Sequence, residues 1–295
     1  MRVIVFGAGA VGSLFGAHLA KGNDVTLICR RAHAEAIDRK GLAVTGMSDF
    51  TVRPRASETA AGLEPPDIIF LSVKAYDTAE AAGQIRGIMA KGTVLVSLQN
   101  GLGNLEILRE AFPRNRVLAC ITSHAAILRG PGVVEHTGRS YTAVGGSEGS
   151  GMVAELLARA GIESRVSQDI GAEIWLKAIV NSAINPVASL LRERNKVVLR
   201  KELLPLIEAI VSEGVQAAKS RGVSLSREAA MASVVAVATD TAENRCSMLT
   251  DIESGRRTEI MQISGAIARY GAEAGMRTPV NSLMTVLISS LGPEA

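Results

Sequence analysis

The sequence predicts an α/β domain with a parallel sheet over residues 1–168, followed by an all-α domain over residues 169–295. A chain of 295 residues spans about two domains at roughly 150 residues each. Its first half alternates short β-branched runs with stretches of helical period, as a sheet covered on both faces by helices requires. Beyond about residue 168 the β-type runs cease and helical periodicity alone continues.

Residues 3–6 (Val-Ile-Val-Phe) form the first strand, and a glycine loop then opens a helix with Val11, Leu14, Phe15 and Leu19 on one stripe. Residues 25–28 supply a second strand. The breaker pair Pro65-Pro66 announces a third at 67–73, and apolar runs at 94–98 and 117–121 give a fourth and a fifth. Weaker strand-like pieces stand at 133–135, 141–144 and 164–167. In the second half Leu203, Ile207, Ile210, Val211 and Val215 fit one helical stripe. Ile260, Ile263 and Ile267 fit another, and Leu283, Val286 and Leu287 a last one. No low-complexity linker separates the halves, which predicts two domains that pack tightly and share a cleft.

Hydrophobic residues make up 47% of the chain and charged residues 21%, enough apolar surface to offset the entropy of ordering and to exclude a disordered chain. The net charge is +3, no Lys/Arg block stands out, and aromatic residues are 3% of the total. Those figures argue against a nucleic-acid surface and against base-stacking platforms. Cys29, Cys120 and Cys246 show no zinc or Cys-x-x-Cys spacing, so they read as reduced thiols in or near a core, with no metal site. The start of the sequence lacks the features of a signal peptide, and no unbroken apolar run nears the roughly 18 residues of a membrane span. The expectation is a cytoplasmic protein with neither membrane nor nucleic-acid partners.

Gly7-Ala8-Gly9-Ala10-Val11-Gly12 follows a strand and opens a helix. In that context the first glycine permits the tight turn, the second lets backbone approach a pyrophosphate, and the third allows close helix–strand packing. The helix N-terminus adds a favourable field for the anion. A dinucleotide is the expected ligand. NAD sites usually carry Asp or Glu at the end of the second strand; here the residues are Cys29-Arg30-Arg31. A guanidinium forms charge-assisted bonds to a 2′-phosphate, which favours NADP, with Arg30 ahead of Arg31. The alternative is a solvated arginine pair. Lys74 and Asn100 end the third and fourth strands, where ligands of open α/β sheets gather.

Lys177, Asn181 and Asn185 recur every four residues in an otherwise apolar segment. Such spacing drifts only about 40° per step, so the three share one helical face. A Lys/Asn/Asn stripe on a largely buried helix must find polar partners, and a ligand cleft supplies them. The alternative is a Glu173–Lys177 surface pair with two solvated amides. Downstream, Asn244 and Ser247 are three apart, compatible with one helical face. Glu259 is placed in the first turn of the helix bearing Ile260, where capping is its bland role.

Residues 7–12, Lys74, Gln99-Asn100-Gly101, Lys177-x-x-x-Asn181-x-x-x-Asn185-Pro186 and Ser247-Met248-Leu249-x-Asp251 with Thr258-Glu259 together resemble the ketopantoate reductase (2-dehydropantoate 2-reductase) family over nearly the whole chain. The resemblance implies an N-terminal Rossmann domain and an all-α C-terminal domain like that of 6-phosphogluconate dehydrogenase. It implies Lys177 and Glu259 as catalytic residues, and NADP held by Gly7, Ala8, Gly9, Ala10, Val11, Gly12, Arg30, Lys74 and Asn100. For a 2-oxo acid substrate it implies Asn100, Lys177, Asn181, Asn185, Asn195, Asn244 and Ser247. Ser123-His124-Ala125 resembles the family's Thr-His-Ala segment, and His124 is assigned to the scaffold. Leu176 departs from members with a charge there, but it lies off the polar stripe. A monomer or homodimer is expected.

The implied activity is NADPH-dependent reduction of ketopantoate to (R)-pantoate, toward pantothenate and coenzyme A. Reduction of a 2-oxo acid at C2 leaves negative charge on oxygen, and a lysine ammonium both stabilises it and supplies the proton. Lys177 takes that role, oriented by Asn100 and coupled to Glu259, with Arg256 or Arg257 as alternative partners for the substrate carboxylate. Two other readings stay open: a reductase of another 2-oxo acid, and a non-catalytic NADP-binding sensor.

Overall fold

In the computed structural model, which describes residues 1–292, the apolar runs of the first half become strands of one eight-stranded sheet, ordered β12-β11-β8-β7-β6-β1-β2-β5. These are β1 (Arg2–Phe6), β2 (Asp24–Ile28), β5 (Arg55–Ser57), β6 (Ile68–Leu71), β7 (Val94–Ser97), β8 (Arg116–Thr122), β11 (Thr142–Gly145) and β12 (Ser164–Val166). Strands from β5 to β8 in that order run parallel, but β11 is antiparallel to β8. The expected all-parallel sheet is therefore mixed at one edge. After β8 the chain makes a hairpin of β9 (Ala125–Gly130) and β10 (Val133–Gly138) and re-enters with no crossover helix, so β11 runs the other way.

That hairpin joins β3 (Leu42–Gly46) and β4 (Phe50–Val52) in a second sheet, ordered β4-β3-β10-β9. Its strands are short or partly polar, with weak alternation, and only β10 was foreshadowed by an apolar run. The helices of this half are α1 (Ala10–Leu19), α2 (Arg31–Lys40), α3 (Thr78–Ile85), α4 (Asn104–Ala111) and α5 (Ser150–Arg159). The large sheet buries both faces: Val3, Val5, Phe70 and Val96 pack in one cluster with α1 and α5 residues, while Ile4, Ile69, Leu71 and Leu95 pack in another with α3 and α4 residues. Double-sided burial is why these strands read as unbroken apolar runs.

By compactness the chain divides into Met1–Gln99 with Asn104–Ile170, and Asn100–Gly103 with Gly171–Ala295. The second unit is helical: α6 (Ile170–Leu191), α7 (Leu204–Ser220), α8 (Arg227–Asp240), α9 (Ser247–Glu253), α10 (Ser264–Glu273) and α11 (Pro279–Ser289). Helix α6 is its axis, with Ile179, Ala183, Ile184 and Val187 in the core. Gly214 of α7 lets the two helices approach closely, since a Cβ there would stand 2.8 Å from Ile179 Cγ1. By length and composition α6 could cross a membrane, but 67% of its most apolar window is buried inside the fold, as in a core helix.

Two helical expectations need correction. Ile260 lies in a 3₁₀ turn (Ile260–Gln262) and Ile263 is the N-cap of α10, so of that stripe only Ile267 is helical. The Gln262 carbonyl accepts the Leu102 N–H at 2.8 Å, a tertiary bond at the place where the helical ladder is interrupted. In α11 the residues Leu283, Val286 and Leu287 are exposed, and Asn281, Met284 and Ile288 face inward. The Glu213 carboxylate accepts the Val280 and Asn281 N–H groups and the Asn281 amide, which sets that helix's facing from outside.

Candidate active site

Three glycines of the first loop do three different jobs. Gly7 has φ +92° and a Cβ there would stand 2.5 Å from Val73 Cγ1 and 2.6 Å from Val73 N, so both conformation and contact demand glycine. Gly12 is held by packing: a Cβ would meet Ser72 Oγ at 2.4 Å and the Gly7 carbonyl at 2.8 Å. Gly9, at φ −75°, is conformationally ordinary, and no atom comes nearer its hypothetical Cβ than the Gly7 carbonyl at 3.9 Å. The space beside Gly9 is therefore open for a ligand. The first bond of α1 runs from Ser13 N to the Gly9 carbonyl at 2.8 Å, and no side chain caps the helix. The N–H groups that open α1 thus remain directed at that space, which suits a pyrophosphate.

Arg30 and Arg31 separate clearly. Arg31 Nε donates to Glu35 at 3.0 Å and lies 3.8 Å from Glu58. Arg30, the N-cap residue of α2, is exposed and makes no ion pair among the described residues. Lys74, half-buried, directly follows Val73 and precedes a short 3₁₀ turn. Its segment is braced by Gln99, whose Nε2 donates to the Val73 carbonyl at 3.2 Å and to Thr78 Oγ1 at 2.7 Å. Ser72 likewise fixes the glycine loop by donating to the Gly7 carbonyl at 3.0 Å. The sequence signal for these supporting roles is a polar residue just past a strand end, Ser72 after β6 and Gln99 after β7.

In the second unit Lys177 and Asn181 are half-buried and Asn185 is buried, on successive turns of α6. Cys246 joins this helix to the next element. Its thiol donates to the Asn185 carbonyl at 3.6 Å, lies 3.5 Å from Ser189 Oγ, and caps α9 by accepting the Leu249 N–H at 3.4 Å. Burial pushes the Cys246 thiol up, so it stays protonated and able to donate. Ser247, the first residue of α9, is thereby held beside the turn of α6 that carries Asn185.

Glu259 is only 7% exposed and precedes the 3₁₀ turn, with no capping bond from its side chain. Its expected place in the first turn of a helix is thus replaced by a buried carboxylate. The Asn100–Gly103 loop belongs to the same unit: a Cβ on Gly101 would stand 2.5 Å from the Gln262 carbonyl. Asn100 and the Glu259 turn are so brought together. Asn195 is buried, donates its amide to Thr241 Oγ1 at 2.9 Å, and gives its N–H to the Asn244 carbonyl at 2.9 Å. Asn244 is exposed and precedes α9, so it does not share a helical face with Ser247. Arg256 pairs with the buried Asp251 at 3.1 Å, a structural use of that guanidinium.

Residues 3–149 match the family described as Ketopantoate reductase PanE/ApbA, and residues 169–291 match Ketopantoate reductase PanE/ApbA C terminal. The chain belongs to the ketopantoate reductase family. Among its relatives, the 2-dehydropantoate 2-reductase of Pyrococcus abyssi is 39% identical, over 100% of this chain and 98% of that one. The 2-dehydropantoate 2-reductase of Archaeoglobus fulgidus is 40% identical, over 97% and 96%. The crystal structure of a family ketopantoate reductase from Ralstonia eutropha JMP134 superposes with TM-score 0.93 at 28% identity, covering 99% of this chain and 98% of that one. A D-mandelate dehydrogenase holding NADH and anilino(oxo)acetate superposes with TM-score 0.92 at 26% identity, with the same coverage. The family and these structural neighbours imply a nicotinamide dinucleotide cofactor.

Proposed function

We propose that this family member is a cytoplasmic enzyme that reduces 2-dehydropantoate to (R)-pantoate with NADPH. The observation that carries the reading is the polar face of α6, where Lys177, Asn181 and Asn185 stand on successive turns of a core helix, in one unit with buried Glu259 and with Ser247. A core helix keeps such a stripe only if something polar meets it. The relatives at 39% and 40% identity, matched over nearly their full length, support the substrate.

The open space at Gly9 and the uncapped start of α1 fit a dinucleotide pyrophosphate, with Arg30 and Lys74 as its cationic partners. Arg30 favours NADPH because its guanidinium is not already held by a carboxylate, whereas Arg31 is. When bound, the cofactor supplies hydride to the C2 carbon of the substrate. Lys177 then stabilises the charge on the C2 oxygen and gives it a proton, which solvent later restores. Glu259 and Asn100 orient the ammonium. Asn181, Asn185 and Ser247 bind the carboxylate and hydroxyl, and Asn195 with Asn244 shapes the adjoining wall.

The test is loss of reduced-nicotinamide absorbance with ketopantoate and a panel of other 2-oxo acids, using NADPH and NADH in parallel. Ketopantoate with NADPH is expected to give the highest kcat/KM. Lys177→Ala should lower kcat by about 10²–10³-fold, the scale of losing a donor to a developing oxyanion, with dinucleotide affinity retained. A preference for aryl 2-oxo acids would support the second reading, which the likeness to D-mandelate dehydrogenase favours. Silence across the panel by folded, dinucleotide-bound protein would leave the sensor.

A further inference from the structure

Three of the chain's four histidines meet in a cavity of about 110 Å³ in the first unit, remote from the glycine loop. His18 comes from the last turn of α1, His124 from the link between β8 and β9, and His136 from β10. At 1.5 Å per residue, His18 lies about 12 Å along α1 from its opening. Ser48, Arg139 and Glu163 complete the polar lining. None of these residues has a part in the proposed reduction.

The hydrogen bonds fix which nitrogens carry protons. His136 Nε2 is 3.1 Å from the Gly138 carbonyl, which only accepts, so Nε2 is protonated. His136 Nδ1 then accepts from the Ser48 hydroxyl at 2.9 Å. His124 Nδ1, 3.1 Å from that same His136 Nε2, is also an acceptor, which leaves the His124 proton on its own Nε2. That N–H is buried with no acceptor. His18 Nδ1 donates to the Ala160 carbonyl at 3.0 Å, leaving Nε2 with its lone pair. The rings are nine-tenths or more buried, so they form a built wall rather than a solvated cluster.

The cations beside these rings are Lys21 and Arg139. Burial pushes all three rings toward neutrality, against the backbone carbonyls of Ala160 at His18 and Gly138 at His136, and charged neighbours add to it. His136, His18 and Arg139 act on His124, which falls to about 4. Lys21, His136 and Arg139 act on His18, and Arg139 acts on His136. Glu163 and Arg139, both exposed, are the charged residues of the cavity lining. An orphaned donor within and a guanidinium at the rim, whose Nη2 also donates to the Met47 carbonyl at 3.3 Å, suit a negatively charged acceptor and oppose a metal cation.

We propose that this cavity is a second binding site, for a small oxyanion held by Arg139 at the rim and by the His124 Nε2–H within, with His18 Nε2 joining as a donor once that ring is protonated. A bound anion favours the imidazolium forms, so by linkage its affinity rises as pH falls. The site lies apart from the dinucleotide loop, and the inference does not depend on the reaction assigned to the enzyme.

The experiment reads the histidine side-chain resonances of the full-length protein by nitrogen-correlated NMR. NADP⁺ is added in excess to occupy phosphate positions at the glycine loop. Sodium sulfate, sodium acetate and sodium chloride are titrated at matched ionic strength, at pH 6 and pH 8. Sulfate or acetate should shift His18, His124 and His136 saturably while leaving His33 unmoved, with tighter binding at pH 6. A sulfate preference identifies a phosphate-like ligand and an acetate preference a carboxylate. Arg139→Gln, an exposed change, should weaken binding about tenfold, as for loss of a charge-assisted hydrogen bond, and Glu163→Gln should tighten it. Shifts no larger than those from chloride, shifts equal at His33, or a response unchanged in Arg139→Gln would overturn the proposal and leave a water-filled cavity.

Discussion

Arg30 and Arg31 differ by one position and by everything around them. The Glu35 and Glu58 carboxylates neutralise Arg31, while Arg30 projects from the start of α2 with no ion pair among the described residues. Arg30→Gln is therefore expected to raise the KM for NADPH about tenfold or more, the value of a charge-assisted phosphate contact, with little change for NADH; Arg31→Gln should do much less. Parallel kinetics with both cofactors measure this, and an equal loss for NADPH and NADH would rule out a 2′-phosphate contact. The absence of the acidic residue usual at NAD sites is legible in the sequence and is what favours NADP there. Which arginine is available is not legible there, because Glu58 approaches from another element. Glu259 shows the same limit: capping and burial are equally compatible with Thr258-Glu259-Ile260, and only the surrounding fold buries the carboxylate.

At the scale of the element, the glycine loop makes a graded prediction. Gly7→Ala and Gly12→Ala place a Cβ within 2.6 Å of neighbouring atoms and should destabilise the fold by about 1–3 kcal/mol through strain and overpacking. Gly9→Ala meets nothing closer than 3.9 Å, so its melting temperature should match the parent while dinucleotide affinity falls. Thermal melts and cofactor titrations of the three variants separate these outcomes; a Gly9→Ala protein as unstable as Gly12→Ala would mean that the loop faces protein rather than ligand. The spacing announced the turn at Gly7 and the close packing at Gly12, which follow from strand, turn and helix in sequence. The isoleucines around residue 263 did not announce theirs. Periodicity of apolar residues records burial, and Ile260, Ile263 and Ile267 are all buried. It does not record that the Gln262 carbonyl bonds to Leu102 instead of continuing a helix. In α11 the apolar stripe even points outward, because Glu213 sets the helix's facing from another element.

For the whole molecule, the buried histidines tie stability to pH. His18, His33, His124 and His136 are all held below their ordinary value, chiefly by burial. In the unfolded chain they take up protons near pH 6.5, which the folded rings refuse, so stability is full above about pH 7 and declines as pH falls toward 4. His124, held at about 4, alone accounts for about 2 kcal/mol at pH 5. Urea unfolding in chloride buffers at pH 7.5 and 5.0 should show the loss; a flat profile would mean that the rings titrate normally. The sequence by itself determined what depends on neighbours along the chain: the glycine loop between strand and helix, the positions of the main strands, the helical second half and the Lys177–Asn181–Asn185 face. Tertiary structure alone decided what depends on neighbours across space. It reversed β11 by sending the chain through a second sheet, lodged the Asn100–Gly103 loop in the helical unit, and gathered histidines from positions 18, 124 and 136 around one cavity. The physical reason is range, since turns, caps and amphipathic periods are fixed within a few residues, whereas burial, field and hydrogen-bond partnership are fixed by whichever distant segment packs alongside.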